Sequence, residues 1–195
     1  MQRKTFDGMN CSIARSLDQI GEWWTVLIIR ECTMGTTRFD DFQRHLGIAR
    51  NILTNRLNRL TDQGILEKTP IGNSERFFDY RLTRKGEELF PVLIALLQWG
   101  DRWSNSKNGA PIKLVDERTQ KAVERIHLRS ADGRVLGIRD VRLKAGPGAT
   151  DVTKAIVAGR NQAIFGGEMA IQHQRHASRR APMEHRSQEF HKEIK

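Results

Sequence analysis

Apolar residues change their spacing twice between Arg38 and Leu82. From Phe39 to Leu46, and again from about Ala49 to Gln63, they recur every three or four residues. That is the period of a helix with one buried face. Gly47 separates the two helices and Gly64 ends the second, each tolerating the backbone angles that a sharp turn or helix stop needs. Beyond Gly64 the period drops to two. It predicts one strand over Ile65-Leu66-Glu67-Lys68 and another from Arg76 to Leu82, joined through Ile71-Gly72-Asn73-Ser74-Glu75. Two tandem helices followed by such a hairpin read as a winged helix-turn-helix, an arrangement suited to duplex DNA.

The second helix separates into two faces on a helical wheel. Ile52, Leu53, Leu57 and Leu60 fall on one side, with Ala49 and Arg56 among them. Arg50, Asn51, Thr54, Asn55 and Asn58 fall on the other. A wet helix face ordinarily carries Glu and Lys, and these five positions carry neither. Arginine, asparagine and threonine approach phosphates without repulsion and offer donors and acceptors to base edges. These five are the expected DNA contacts. Arg38, ahead of the first helix, and Arg76, at the wing tip, join them as backbone or minor-groove contacts.

The flanking segments supply the frame. CSIARSLDQI (11–20) spaces Ile13, Leu17 and Ile20 along one helix face. EWWTVLIIREC (22–32) is apolar nearly all round, as a central buried helix is. A long helix is expected from Thr83, its N-cap, to about Trp103. It carries more apolar surface than one small domain should bury, which points to a helical dimer interface using Ile13, Leu17, Leu93 and Leu97. Residues 106–111 read as a linker. Residues 112–149 return to a two-residue period and predict a small β module, and 150–195 read as a basic tail, largely disordered. The fold class expected is α+β.

Charge sharpens this division. The formal net charge is +10, yet residues 1–105 hold 15 Lys/Arg against 13 Asp/Glu, whereas 106–195 hold 18 against 10. The excess would add salt-sensitive, sequence-blind attraction to nucleic acid. The longest apolar run, Phe90 to Leu97, falls far short of the ~20 residues of a membrane span. Two cysteines make no disulfide scaffold. A soluble, cytoplasmic protein is expected.

The segments CSIARSLDQIGEWWTVLIIRE, RFDDFQRHLGIARNILTNRLNRL, GIL, DYRLTRKGEEL and LLQWGDRW together resemble the HxlR family of winged helix-turn-helix regulators, near the MarR regulators. The resemblance covers about residues 9–105. It implies a homodimer on a pseudo-palindromic operator, with the terminal helices forming the interface and the second helix of the motif in the major groove. Two positions depart from the family pattern. Trp23 stands where a basic residue is usual, and the wing arginine sits at Arg76 rather than at Phe77. Through KLV, IRDVR and GPGA, residues 113–148 also resemble a zinc-ribbon-like appendage. Its cysteines would match Thr119, Arg129 and Asp132, none of which supplies a thiolate. No metal and no cofactor are expected.

Cys11 opens the first helix, where the helix dipole favours a thiolate. Relatives carry a cysteine there that in some senses oxidants, so Cys11 is a candidate redox sensor beside an unidentified small-molecule effector as the alternative signal. Cys32 reads as core packing. No nucleophile–base pair, phosphate loop or carboxylate dyad stands out, so the chain does not read as an enzyme. The leading expectation is a sequence-specific dimeric transcriptional regulator, a repressor more than an activator. The alternative is a low-specificity or architectural DNA-binding protein driven by the basic C-terminal half.

Overall fold

The computed structural model describes residues 5–73, 76–104 and 109–178. Four helices come first: α1 (Ser12–Ile20), α2 (Trp23–Thr33), α3 (Phe39–Leu46) and α4 (Arg50–Asp62). The antiparallel pair β1 (Leu66–Pro70) and β2 (Phe78–Leu82) forms the wing. After it come α5 (Arg84–Glu87), α6 (Phe90–Trp103) and α7 (Asp151–Ser178). The chain divides into two compact units between His127 and Leu128.

The core lies where α2, α3, α4 and the wing converge. Ile28 and Ile29 come from α2, Phe42 from α3, Leu53, Leu57 and Leu60 from α4, and Leu66 and Tyr80 from the strands. The three leucines are spaced four and three residues apart, so α4 seats one stripe in the core and turns the opposite stripe outward. Gly47 ends α3 at φ 63°, a left-handed conformation that would strain a residue with a Cβ. The chain then reverses, buries Ile48 and starts α4.

Leu66 pairs with Leu82 and Pro70 with Phe78 across the wing. A one-residue bridge adds to its edge: Arg38 bridges to Asp79, and the Tyr80 amide donates to the Thr37 carbonyl at 2.9 Å. The first turn after the wing is held closely. Thr83 caps α5 by accepting from the Gly86 amide, and a Cβ at Gly86 would lie 2.3 Å from the Ile65 carbonyl oxygen. Only glycine fits there.

The single helix expected from Thr83 to Trp103 is broken into α5 and α6. Pro91 has no N–H to donate to the preceding turn, so it sits at the start of a new helix rather than inside an old one. α6 turns one side inward. Ile94 is buried and Leu93 packs against the core, whereas Val92, Leu96, Trp99 and Trp103 are exposed. Of the residues expected at a dimer interface, Ile13 and Leu17 are exposed on α1, but Leu93 and Leu97 are half-buried. The available stripe on α6 lies one residue away from the one expected.

Glu31, near the end of α2, is a buried carboxylate. It accepts from Arg30 (2.6 Å), from His45 Nδ1 on α3 (2.9 Å) and from the Thr36 hydroxyl (3.0 Å). Burial alone would raise its pKa, but the donors outweigh burial and hold the carboxyl below its ordinary value. A lowered folded-state pKa means the ionised carboxylate stabilises the fold. The contribution is complete above the unfolded value, about 4.3, and is lost as pH falls through the folded one. Glu31→Gln will therefore melt below the wild type at pH 7. The gap will close as thermal melts are taken to acid pH, below the ordinary carboxyl range; a constant gap would contradict this.

The C-terminal segments differ most from expectation. Residues 112–149 contain two isolated bridges, Val115 to Ala122 and Arg129 to Val135, and no regular strand among the described residues. They also straddle the boundary between the units instead of forming one β module. The physical reason is visible in how their backbone groups are satisfied. Gln98 of α6 accepts from the Ile126 amide at 2.9 Å and donates to the Glu124 carbonyl at 3.1 Å. In the second unit Asn161 of α7 does the same for Leu143, at 3.1 and 2.8 Å. Backbone bonds close two short turns, with the Val123 amide donating to the Leu114 carbonyl and the Leu136 amide to the Leu128 carbonyl, and these side-chain amides take up part of the backbone between and beyond them. The tail expected to be disordered from 150 is helical over Asp151–Ser178. Its last part, 179–195, and the first half of the 106–111 linker, 106–108, lie outside the described residues.

Candidate nucleic-acid interface

The outward stripe of α4 is the one the wheel predicts: Arg50, Asn51, Thr54, Asn55 and Asn58 are all exposed. It carries no acid until Asp62 in the last turn, and its first turn has neither an acidic residue nor a side-chain cap. The positive end of the helix dipole, and the first-turn amides other than that of Ile52, favour an approaching phosphate. Asn51 uses its side-chain oxygen on the Ile52 amide at 2.9 Å, and Thr54 donates its hydroxyl to the Arg50 carbonyl at 2.9 Å. Asn51 therefore keeps its amide protons for a partner, and Thr54 keeps its acceptor lone pairs and its methyl group.

Arg50 leans back along α3. Its guanidinium carbon lies 4.8 Å from the centre of the Phe39 ring, and Nη1 lies 3.9 Å from Asp40. Both charged groups are well exposed, so this pairing is weak and a phosphate or guanine can displace it.

The inner edges of α4 anchor it. Arg56 pairs with Glu22, the N-cap residue of α2, at 3.0 Å. Arg59 donates to the Asp18 carbonyl at the end of α1. Lys85 joins the same corner, donating to Gln19 and to the Gln63 carbonyl, each at 2.8 Å. The reading surface is thereby fixed to α1 and α2 as well as to the core.

Arg38 is the N-cap residue of α3 and lies 3.5 Å from Asp79 on the wing. Arg76 is exposed just before β2; Ser74 and Glu75 at the tip lie outside the described residues. Sequence reasoning missed Arg81. The two-residue period places it with Asp79 on the face opposite buried Tyr80, and its Nη2 lies 3.4 Å from Asp79. That alternation was the signal available for finding it. Trp23, where the family pattern has a basic residue, is 87% exposed.

The two cysteines differ in setting. Cys11 is the N-cap residue of α1, half-buried, and its carbonyl accepts from the Arg15 amide at 3.1 Å. Burial, reinforced by the Glu31 charge, pushes the Cys32 thiol up to about 12, so it stays protonated and inert at neutral pH. Among the positions matched to ligand cysteines, the Thr119 amide donates to Asp116 at 2.6 Å, Arg129 donates to the Gly133 carbonyl, and Asp132 accepts from the Ser130 hydroxyl. No group of three or more His, Cys, Asp or Glu able to hold a metal occurs among the described residues. None of the described helices is long and apolar enough to cross a membrane.

The HxlR-like helix-turn-helix family matches residues 19–108 and stops before the segment that resembles a zinc ribbon. The solved structure of PA1607, described as a candidate transcription factor, covers 73% of this chain and 100% of its own at 37% identity and a TM-score of 0.68. PA1374 of Pseudomonas aeruginosa covers 75% of this chain and 99% of its own at 38% identity and a TM-score of 0.53. Rv3095 of Mycobacterium tuberculosis, an uncharacterised helix-turn-helix transcriptional regulator, is 35% identical over 137 residues, 70% of this chain and 87% of its own. A match of that extent, joined to the family match across the helix-turn-helix itself, places the chain in the HxlR-like helix-turn-helix family of DNA-binding transcriptional regulators.

Proposed function

We propose that the chain acts as a homodimer that reads a pseudo-palindromic operator and represses transcription from it, in the cytoplasm. The outward face of α4 is the observation that carries this reading. It combines Arg50, three asparagines and a threonine around an uncapped helix start. On this reading α4 lies in the major groove, and Arg38 and Arg76 meet the sugar-phosphate backbone on its flanks. The exposed stripe on α6, with Ile13 and Leu17 on α1, is the surface that joins two copies. Two copies set two α4 helices against half-sites about one helical turn apart, ~34 Å.

A second reading has its own support. The charge excess lies in residues 106–195, almost all of it beyond the family match, which ends at 108. A protein bound mainly by that half would cling to any duplex. Equilibrium binding to a duplex selected by the protein from a random-sequence library, beside an unselected duplex, separates the two. Sequence-specific recognition predicts a preference of ~10³ or more that persists as salt rises. Equal affinity for both duplexes, falling steeply with salt, would establish the second reading.

A further inference from the structure

A line of alternating charge runs from the recognition helix to the wing. Arg50 of α4 faces Asp40 of α3, Arg38 caps α3 and faces Asp79, and Asp79 faces Arg81 on β2. Asp79 is the fixed point of this line. Its backbone bridges to Arg38, the next residue's amide donates to the Thr37 carbonyl, and its carboxylate accepts from the Thr37 hydroxyl at 3.0 Å. The two guanidiniums stand farther off, at 3.5 Å for Arg38 and 3.4 Å for Arg81. A full charge-assisted bond would bring them to about 2.7–2.9 Å. They are steered by Asp79 rather than consumed by it. The carboxylate side chain is 24% exposed, while the arginines are 46% and 57% exposed, so their outer N–H groups face solvent.

An acid at the edge of a DNA-binding surface repels phosphates and should weaken attachment to any duplex. We infer that Asp79 is a positioning residue for sequence discrimination: it gathers Arg38 and Arg81 side by side at the junction of α3 and the wing. Two guanidiniums held at one spacing serve a backbone that presents phosphates in one register, the register reached when α4 is seated on its bases. On a duplex where α4 is not seated, the same acid opposes binding. Asp79 therefore lowers affinity for random DNA and raises it for the operator. This inference rests on the DNA-reading role proposed above and deepens it, since it assigns specificity to a residue that itself touches neither base nor phosphate.

The test uses the full chain and two duplexes, one selected by the wild type from a random-sequence library and one unselected, each titrated across salt. Asp79→Asn keeps an acceptor for the Thr37 hydroxyl but removes the charge. It should bind the selected duplex about 5- to 10-fold more weakly and the unselected one a few-fold more tightly, with an unchanged melting curve. Asp79→Glu, which restores the charge, should recover part of the lost ratio. Arg38→Ala should lower the slope of log K against log salt by about one on the selected duplex. In the Arg38→Ala, Arg81→Ala background the Asp79→Asn change should then cost the selected duplex little further affinity. Parallel loss on both duplexes, or an unchanged ratio in Asp79→Asn, would overturn the role of Asp79 alone. A wild type that fails to discriminate at all would overturn the DNA-reading proposal beneath it.

Discussion

Replacing Arg50 with alanine will weaken operator binding by about 1–3 kcal/mol, roughly 5- to 150-fold, while binding to random duplex changes little. Asn51→Ala will act in the same sense. Both residues stand on the first turn of α4, exposed, on a face that holds no acid until Asp62. Arg50 has only the weak Asp40 pairing and the Phe39 ring to leave behind. Asn51 keeps its amide donors because only its oxygen is engaged locally. The asymmetry between the duplexes is the decisive part: removing a hydrogen bond to phosphate would weaken both, whereas removing one to a base weakens the operator complex alone. Fluorescence anisotropy on labelled duplexes measures it, and two mutants that bind the operator like the wild type would remove α4 as the reader.

Glutamate at Leu96 and Trp99 together will convert a dimer into a folded monomer and lower operator affinity by about two orders of magnitude or more, because two half-sites are no longer engaged at once. Val92, Leu96, Trp99 and Trp103 recur at four, three and four residues on α6, the spacing of a helix–helix seam, and all are exposed. Leu93→Glu is the informative contrast. Leu93 packs against the protein's own core, so a charge there will cost several kcal/mol of stability and lower the melting temperature. Sedimentation read beside thermal melts distinguishes loss of assembly from loss of fold. A well-folded wild-type monomer at micromolar concentration would sink the interface.

The helix-turn-helix and wing were legible because their signals are local. Phe39–Leu46 has the bounds that the apolar period and Gly47 give it, α4 differs from expectation by one residue at each end, and β2 starts two residues later and ends where expected. The outward face of α4 followed from a wheel alone. The inner face of α6 did not. Its residues are apolar almost all round, so periodicity offers no preferred side, and the side is shown only by the burial of Ile94 and the packing of Leu93 against the core. Glu31 was missed for a related reason. A lone acid in an apolar helix gives no pattern, and its partners His45 and Thr36 lie on other segments. Residues 112–149 read as strands because alternation reports extended backbone. It does not report whether a strand or a side-chain amide such as Gln98 or Asn161 will pair with that backbone. The Asp151–Ser178 helix lacks a clear apolar stripe, so nothing in its spacing announced it.

Arg59 clasping the end of α1, with Lys85 closing the same corner, ties a helix that carries Ile13 and Leu17 to the far end of the recognition helix. A displacement of α1 would therefore be passed to α4 at this corner. At 1.5 Å per residue, Arg50 lies about 13 Å along α4 from Arg59. A tilt of ~5° at the clasp would shift the Arg50 end by about 1.2 Å, a little under half the length of a hydrogen bond. On the DNA-reading role proposed above, whatever leans on α1 from outside would be felt at the Arg50 end of α4. Natural variation at Ile13 or Leu17 would retune DNA affinity without altering a single residue that meets DNA.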